Sequence, residues 1–374
     1  MNISCLQENL QRGLQLVSHV TGKEQNLPIL STILFKTQEG LIVLYATNLE
    51  VGASCSIRGK VEKEGSVAVP AKIITDYISL LPKEKISIEV HEDNILHIKC
   101  HNYSTKILGL NPDEFPLMPS NESLYSIECQ SAVLKKALQQ TLFTVSINES
   151  KQELSGLFFM VTKESKKLTI VGTDAYRLGE SSILLEKTPQ DDQSFIMPLR
   201  TAQEISRILS ADISGNVHID WNDHQITFMC DTYTLISKRV QGTYPDYKQI
   251  IPQSFATKVI LDVEECIKAV KTTSLFSKST LSDIHVQCMT TTQDHGRLLL
   301  SSSNTTSGES SVQLELDVQG SENSITLNYR YFLDGLQALE SKKALLSIID
   351  NTNPCILKPL DEDGYQYLIM PIRQ

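Results

Sequence analysis

The stretch Met197-Pro198-Leu199-Arg200 leads directly into an amphipathic run at residues 201–209, and this combination sets the pattern of the whole chain. A comparable run occupies residues 71–81, and Asn328-Tyr329-Arg330-Tyr331 opens another at residues 332–339. The same order of elements returns at a spacing of about 125 to 130 residues, a period that is typical of whole repeated domains and too long for solenoid turns. The 374 residues are therefore predicted to form three similar domains.

Each repeat also begins with an amphipathic run of its own, and these runs lie at residues 6–20, 131–145 and 263–273. In the first of them Leu6, Leu10 and Leu14 mark one face at the helix period, while Gln11 and Arg12 lie on the opposite face. Short runs rich in β-branched residues fill the intervals between the helices. We therefore predict an α+β fold in which each repeat packs two helices on one face of an antiparallel sheet.

The composition indicates a globular protein of the cytoplasm. Hydrophobic residues make up 41% of the chain, but no run approaches the roughly 18 apolar residues of a membrane span, and the start of the chain lacks the features of a signal peptide. The cysteines are scattered singly without a Cys-x-x-Cys pair, which favours buried thiols in a reducing compartment over disulfides. These residues are Cys5, Cys55, Cys100, Cys129, Cys230, Cys266, Cys288 and Cys355.

Charge is distributed unevenly between the helices and the rest of the chain. The formal net charge is −10, which at first argues against a nucleic-acid partner. The six predicted helices, however, contain nine Lys and Arg residues and six Asp and Glu residues. The helices thus carry a slight positive excess, opposite in sign to the remainder.

The sequence lacks the common motifs of enzymes. It has no phosphate-binding Gly-rich loop, no dinucleotide fingerprint, no nucleophile elbow and no His-Glu-x-x-His. His97, Cys100 and His101 cluster in one run, but on a strand Cys100 points away from both histidines, so we interpret the run as a solvated strand face without a metal. Asp191-Asp192 follows Pro189-Gln190 and is interpreted as a solvated turn.

Three stretches combine apolar and special residues where polar surface is expected: Val171-Gly172-Thr173-Asp174-Ala175-Tyr176-Arg177-Leu178, Tyr244-Pro245-Asp246-Tyr247 and Tyr367-Leu368-Ile369-Met370-Pro371-Ile372-Arg373-Gln374. Taken alone, the last favours a final edge strand closed by Pro371. Together with the threefold repeat, the three stretches closely resemble the bacterial DNA polymerase III β subunit family, the sliding clamps. The resemblance extends over the whole chain.

The resemblance implies three clamp domains, at residues 1–123, 124–252 and 253–374, which form half of a closed ring. Two copies would join head to tail around double-stranded DNA without regard to its sequence. The ring would have no catalytic residue and no cofactor. Its implied protein partners are the DNA polymerase III α subunit, the clamp loader and other proteins with a clamp-binding motif.

The resemblance also implies a pocket for short peptides that carry a Gln and a pair of apolar anchors. Its walls would be Leu154, Thr173, Ala175, Tyr176, Arg177, Leu178, Pro245, Ile250, Leu281, Asn328, Tyr331, Pro354, Leu368, Ile369, Met370, Pro371, Ile372 and Arg373. The family often has Gly-His in place of Ala175-Tyr176, Arg in place of Gln249 and Phe in place of Leu281, so these differences bear on pocket depth and peptide preference.

Two further surfaces follow from the resemblance. The residues that would face DNA are Arg12, Lys23, Lys72, Lys135, Lys136, Lys151, Arg200, Arg207, Lys268, Lys271 and Arg330. The residues that would join two copies are Thr105, Ile107, Leu108, Leu275 and Phe276.

Two other classes of protein remain open from the residues alone. One is a carbohydrate-acting or nucleotide-acting enzyme on a repeated α+β scaffold, and the other is an adhesion or scaffold protein that forms no ring. No sequence feature supports either class, and the mass in solution together with a test for turnover distinguishes them from a dimeric clamp.

Overall fold

A computed structural model describes the chain except for residues 23–26, 92, 119–122, 147–150, 188, 190, 211–214, 278–281, 293–294, 306–307 and 374. Two predicted site residues, Lys23 and Leu281, lie outside the described residues. The described residues form the helices α1 (Gln7–Ser18), α2 (Ala71–Leu80), α3 (Ser131–Thr141), α4 (Leu199–Leu209), α5 (Val263–Ser274) and α6 (Tyr329–Gln337).

The strands follow in three groups along the chain. The first group is β1 (Asn2–Leu6), β2 (Thr32–Gln38), β3 (Leu41–Thr47), β4 (Val51–Ile57), β5 (Gly59–Lys63), β6 (Ser66–Pro70), β7 (Lys85–Val90), β8 (Ile95–Cys100) and β9 (Tyr103–Leu108). The second group is β10 (Tyr125–Gln130), β11 (Gly156–Thr162), β12 (Lys167–Thr173), β13 (Arg177–Leu184), β14 (Gln193–Pro198), β15 (Asn216–Trp221), β16 (Gln225–Cys230) and β17 (Tyr233–Lys238). The third group is β18 (Thr257–Asp262), β19 (Asp283–Thr292), β20 (His295–Asn304), β21 (Gly308–Gly320), β22 (Asn323–Asn328), β23 (Lys343–Ile348), β24 (Cys355–Pro359) and β25 (Tyr365–Ile369).

The chain folds into two compact units. Unit 1 comprises Met1–Ala132, Leu185–Pro189 and Arg200–Arg239. It holds a five-stranded sheet in the order β5-β1-β7-β8-β9 and an eight-stranded sheet in the order β10-β15-β16-β17-β4-β3-β2-β6. Helix α1 packs on α2 and on strands β3 and β4.

Unit 2 comprises Val133–Leu184, Gln190–Leu199 and Val240–Gln374. Its sheet has twelve strands in the order β14-β11-β12-β13-β25-β24-β23-β18-β21-β20-β19-β22. Helix α5 packs on α6 and on strands β18 to β21.

The two compact units divide the chain differently from the three sequence repeats because sheets continue across the repeat boundaries. In unit 1, β4 of the first repeat pairs antiparallel with β17 of the second. In unit 2, β13 of the second repeat pairs antiparallel with β25 of the third. The strands of the middle repeat are thus shared between both units.

The helix faces predicted from the sequence largely agree with the structure. Leu10, Leu14 and Val17 of α1 are completely buried, and each contributes about 1.5 to 3 kcal/mol of hydrophobic stabilisation. Leu6 is a correction, because it ends β1 and its side chain is 53% exposed. The helix predicted at residues 131–145 ends at Thr141, whose hydroxyl donates to the Ala137 carbonyl at 2.8 Å, and a short 3-10 turn follows.

Two other predictions concern composition. All eight cysteines are free and buried, as the sequence predicts. Among the described residues, no helix is long and apolar enough to cross a membrane.

Candidate peptide-binding groove and interaction surfaces

The motif that follows β12 forms a tight turn, which orders the candidate peptide groove in unit 2. The Thr173 hydroxyl donates to the Arg177 carbonyl at 2.7 Å and accepts from the Ala175 amide at 3.1 Å. The Asp174 carboxylate accepts from the amides of Tyr176 and Arg177 at 2.9 and 3.0 Å. Ala175 has a φ of 74°, a left-handed conformation that non-glycine residues rarely adopt. The turn leaves the Tyr176 side chain 65% exposed at its tip.

Arg177 fixes this turn to helix α6. Its Nε donates to Asp174 at 3.0 Å and its Nη1 donates to Asp334 at 2.6 Å. The guanidinium also lies over the rings of Tyr331 and Phe143, at 4.4 and 5.5 Å from their centroids. Burial opposes the charged guanidinium, but neighbouring groups that include both carboxylates raise the pKa of Arg177 above its usual value. Arg177 therefore holds the turn against helix α6 through its two carboxylate partners.

An aromatic cluster forms the floor beside the turn. The rings of Phe158 and Tyr244 stack with centroids 4.6 Å apart, and Tyr247 meets Tyr244 edge-on at 6.4 Å. Leu178 and Leu368 belong to the same buried cluster. Burial raises the pKa of the Tyr244 phenol, which stays neutral at physiological pH.

The C-terminal segment completes the groove through its main chain. In the pairing of β13 with β25, Leu178 stands opposite Leu368. Beyond β25 the Met370 amide donates to the Tyr176 carbonyl at 2.9 Å. The Ile372 amide donates to the Thr326 carbonyl of β22 at 2.8 Å. The tail is therefore held on both sides, and the side chains of residues 370–372 remain partly exposed.

The predicted pocket residues differ in how far they are buried. Leu154 belongs to the buried floor, whereas Ile250 is 48% exposed. Arg373 and Pro245 are exposed, and Pro354 is buried next to β24.

Two predicted pocket residues have other roles. Ile369 is a correction, because alternation along β25 places it on the face opposite Leu368, where it is completely buried in the core with Tyr365 and Tyr367. Asn328 caps α6, since its side chain accepts from the amides of Arg330 and Tyr331.

Several residues of the floor were missed by the sequence analysis. These are Phe158, Val171, Ile196, Tyr244, Tyr247 and Ile356. Tyr244 and Tyr247 belong to the same motif as the predicted Pro245. Their position on either side of it was the signal in the sequence that could have placed them in the floor.

The predicted DNA-facing residues divide into ion-paired and unpaired groups. In unit 1, Arg12 lies 3.9 Å from Asp231, and Arg207 binds Glu204 and the Leu16 carbonyl.

In unit 2, Lys136 pairs with both Glu340 and Glu362, and these carboxylates raise its pKa although burial works to lower it. Lys268 pairs with Glu264 at 2.7 Å, one helical turn away. The Arg330 guanidinium lies 5.8 Å from the Tyr329 ring.

The other predicted cations make no ion pair with any residue in the described part of the chain. They are Lys72, Lys135, Lys151, Arg200 and Lys271.

The predicted dimer residues lie on strand β9 in unit 1 and directly after helix α5 in unit 2. In unit 1, β9 is the outer strand of its sheet, and Leu108 on it is 74% exposed, whereas Ile107 is buried and Thr105 is half-buried. Leu80 at the end of α2 is 81% exposed and was not predicted.

In unit 2, Leu275 follows α5 and is 76% exposed, with Phe276 half-buried beside Gly308 of β21. Strand β21 pairs with β20 along residues 308–316, and within the described chain its other edge pairs with β18 only at residues 317–320. Each unit thus exposes both an unpaired strand edge and large apolar side chains.

No metal centre is evident in the part of the chain that the structure describes, since it holds no group of three or more His, Cys, Asp or Glu side chains placed to bind an ion. His97 lies on β8 and contacts His91 edge-on at 4.5 Å, whereas His101 is a correction, because β8 ends at Cys100 and His101 lies in the following turn with a φ of 50°.

Comparison with known proteins identifies the family. The N-terminal, central and C-terminal domain models of the DNA polymerase III beta subunit match residues 1–119, 128–246 and 248–373. The beta sliding clamp of Synechocystis sp. is 28% identical over 397 residues, which cover 100% of this chain and 99% of the relative. That of Pseudomonas putida is 27% identical over 379 residues and all of both chains.

Solved structures agree with this assignment. A Pseudomonas aeruginosa DnaN sliding clamp bound to griselimycin is similar with a TM-score of 0.93 at 25% identity, over 100% of both chains. A DNA polymerase III beta subunit from Eubacterium rectale gives a TM-score of 0.90 at 26% identity, also over 100% of both chains. The α+β fold with three clamp domains is thereby confirmed. The chain belongs to the DNA polymerase III beta subunit family, and its function is that of a DNA sliding clamp in replication.

Proposed function

We propose that two copies of the chain close into a ring around duplex DNA and tether DNA polymerase III and other proteins through the groove of unit 2. The observation that carries the ring is the pair of open strand edges, β9 in unit 1 and β21 in unit 2. An unpaired edge readily adds a strand from another chain. Because the two edges are different surfaces, a head-to-tail contact between them can close at two copies.

Side chains at these edges support the contact. Leu108 and Leu275 are each about three-quarters exposed, at 74% and 76%, and burying them against a second copy removes apolar surface from water. Lys106 of β9 and Glu309 of β21 are both exposed and carry opposite charges, which favours this pairing over like with like. The interface would therefore join two sheets edge to edge with an apolar contact beside them.

Enclosure explains how an acidic chain can work on DNA. The net charge of −10 opposes DNA binding, and ion pairs partly neutralise four of the predicted inner-surface cations, Arg12, Lys136, Arg207 and Lys268. Ordinary phosphate binding would need many such contacts and would fall steeply with salt. A closed ring needs only weak contacts and stays on DNA by topology, without turnover and without a cofactor.

The groove of unit 2 fits a short peptide. It joins an aromatic floor, an exposed Tyr176 and a partly exposed Met370, whose flexible thioether adapts to different apolar anchors. The similar Pseudomonas aeruginosa clamp has been crystallised with griselimycin, so a protein of this fold binds a ligand. We extend ligand binding to this chain at the groove of residues 173–178 and 370–373.

Two measurements test the proposal. Light scattering should give twice the chain mass of 41.8 kDa, and a monomer at micromolar concentration would contradict the ring. Protein loaded on nicked circular DNA should stay bound until the circle is cut, and a cytoplasmic replication protein of this kind should show no hydrolytic or transfer activity.

A further inference from the structure

A cavity in unit 1 repeats the construction of the candidate peptide groove of unit 2. It has a volume of about 230 Å³, and the residues around it include Leu49, Leu117, Ile236 and Lys238. An apolar cavity of about 150 Å³ holds a benzene molecule, so this space accommodates a leucine or phenylalanine side chain.

The turn at one side of the cavity has the same hydrogen bonds as the turn of the peptide groove. The Thr47 hydroxyl donates to the Val51 carbonyl at 3.0 Å and accepts from the Leu49 amide at 3.1 Å. The Asn48 side chain accepts from the amides of Glu50 and Val51 at 3.0 and 2.8 Å. Leu49 has a φ of 74°, the same value as its counterpart Ala175. The two turns are therefore copies of one local structure in successive repeats.

The strand pairing is repeated as well. Strand β17 lies against β4 as β25 lies against β13. At the end of this pairing the Lys238 amide donates to the Glu50 carbonyl at 3.2 Å, as the Met370 amide does to the Tyr176 carbonyl at 2.9 Å. Lys238 therefore occupies the position in unit 1 that Met370 occupies in unit 2. The cavity of unit 1 thus has a positive charge where the groove of unit 2 has an apolar side chain.

The segment at the other side of the cavity follows the same plan but is more exposed. Phe115-Pro116 corresponds to Tyr244-Pro245, and Phe115 is likewise buried. The next residue, Leu117, is 97% exposed, and Leu49 across the cavity is 48% exposed. Two exposed leucines beside an open cavity form an apolar surface that water covers unfavourably.

We propose that this cavity is a second docking site, which binds an extended segment of a partner protein through one large apolar side chain and an adjacent carboxylate. The apolar residue would occupy the cavity between Leu49 and Leu117, and the carboxylate would pair with Lys238. Lys238 is exposed and forms no ion pair with any residue that the structure describes. Glu50, the one acidic side chain that the structure describes around the cavity, repels a carboxylate from its own side and so fixes the direction of the peptide. This inference rests on the proposed peptide groove of unit 2, whose construction it extends.

The test uses two fluorescein-labelled peptides and fluorescence anisotropy. The probe is Gly-Gly-Phe-Asp-Asp and its matched control is Gly-Gly-Phe-Asn-Asn. The protein is the full chain and a variant that lacks residues 370–374, in which the groove of unit 2 is incomplete. The acidic probe should bind both proteins equally, at least tenfold more tightly than the neutral control, and Lys238→Glu or Leu117→Asp should weaken it at least tenfold.

A peptide with Gln and two apolar anchors separates this inference from the proposed function. Its binding should be lost in the truncated protein and unchanged by Lys238→Glu. If the truncation fails to reduce that binding, the proposed groove of unit 2 is wrong. If the Gln peptide behaves as expected but the acidic probe binds neither protein, loses its binding on truncation or is indifferent to Lys238→Glu, only the second site is overturned.

Discussion

The guanidinium of Arg177 donates to the carboxylate of Asp334 at 2.6 Å and thereby ties the turn after β12 to helix α6, 157 residues away. The Arg177 side chain is only 13% exposed, whereas the Asp334 side chain is 41% exposed, so this pair is shielded from water mainly on the arginine side. The relationship connects the exposed Tyr176 at the tip of the turn to the rigid core of unit 2.

Breaking the ion pair between Arg177 and Asp334 should weaken peptide binding and also lower the stability of the fold. Asp334→Asn leaves the Arg177 charge with a weaker partner, and we expect at least a tenfold loss of affinity for a Gln-plus-apolar peptide with about 1 to 3 kcal/mol lost in unfolding free energy. Anisotropy and urea unfolding measure the two quantities. The matched control is Glu264→Gln, which removes the exposed pair with Lys268 and should leave both quantities unchanged within the error of the measurement, because water screens the pair. An unchanged peptide affinity in Asp334→Asn would show that the pair between Arg177 and Asp334 does not order the groove for peptide binding.

Removing the tail should abolish peptide binding without unfolding the protein. Deletion of residues 370–374 loses two main-chain hydrogen bonds of the described tail, at Met370 and Ile372, and leaves β25 intact. Truncation of a central contact residue at such a groove costs about 2 kcal/mol or more, so Met370→Ala alone should weaken the peptide roughly thirtyfold. The melting temperature should stay within a few degrees of wild type. An affinity within about twofold of wild type in the deletion variant would place the partner site elsewhere.

Leu178 is unsuitable for the same test. It is only 1% exposed, and replacing a buried leucine with alanine costs about 2 to 5 kcal/mol of stability. A loss of binding in Leu178→Ala would therefore report on folding as much as on the groove.

Charges at the predicted dimer edges should give folded monomers. Leu275→Lys with Phe276→Asp in unit 2, or Leu108→Asp in unit 1, would place a desolvated charge at the contact. Light scattering should then show a single chain, while circular dichroism stays unchanged. Leu184→Asp is the matched control, because Leu184 is 71% exposed but lies on β13, an inner strand of the unit 2 sheet, and this variant should remain a dimer. A dimer that persists in both edge variants would show that the interface lies elsewhere.

Buried thiols should make stability fall in alkaline solution. Burial raises the pKa of Cys5 and of Cys129 from the ordinary 9.0 to about 12. Above pH 9 the unfolded chain has released these protons and the folded chain has not, so the free energy of unfolding decreases as the pH rises toward 12. Urea unfolding should give a constant value from pH 7 to 8 and lower values at pH 10, and Cys5→Ser with Cys129→Ser should reduce that dependence. A free energy that is flat to pH 10 would contradict the expected protonation of the folded state.

Much of the fold follows from periodicity that is visible in the sequence. Leu10 and Leu14 recur at the helix period and are buried, and the amphipathic run of the second helix recurs in all three repeats. Leu6 was assigned to α1 because an apolar residue one turn before Leu10 satisfies the same pattern. Only the pairing of β1 with β5 and β7, which is long-range, decides that it belongs to a strand.

The sharing of the middle repeat between two units could not be predicted for a similar reason. It depends on strand pairs such as Leu178 opposite Leu368, which are distant in sequence and have no local signature. From residue types alone the apolar tail indicated a final edge strand, and the groove was implied by the family resemblance. Neither could separate Leu368 from Ile369 without the strand's orientation. The ion pairs at Lys136 likewise bring Glu340 and Glu362 from remote turns, so a helix face that appears cationic in sequence is partly neutralised.

Retention on DNA of defined topology distinguishes enclosure of the duplex from electrostatic binding to phosphates. Protein loaded on nicked circular DNA should coelute with it through gel filtration at 0.2 M salt, where the Debye length is below about 10 Å and isolated phosphate contacts are weak. Cutting the circle once should release the protein within the time of the experiment, and blocking both ends of the linear product should restore retention. Equal retention on circular DNA and on linear DNA with free ends would contradict enclosure and indicate ordinary electrostatic binding.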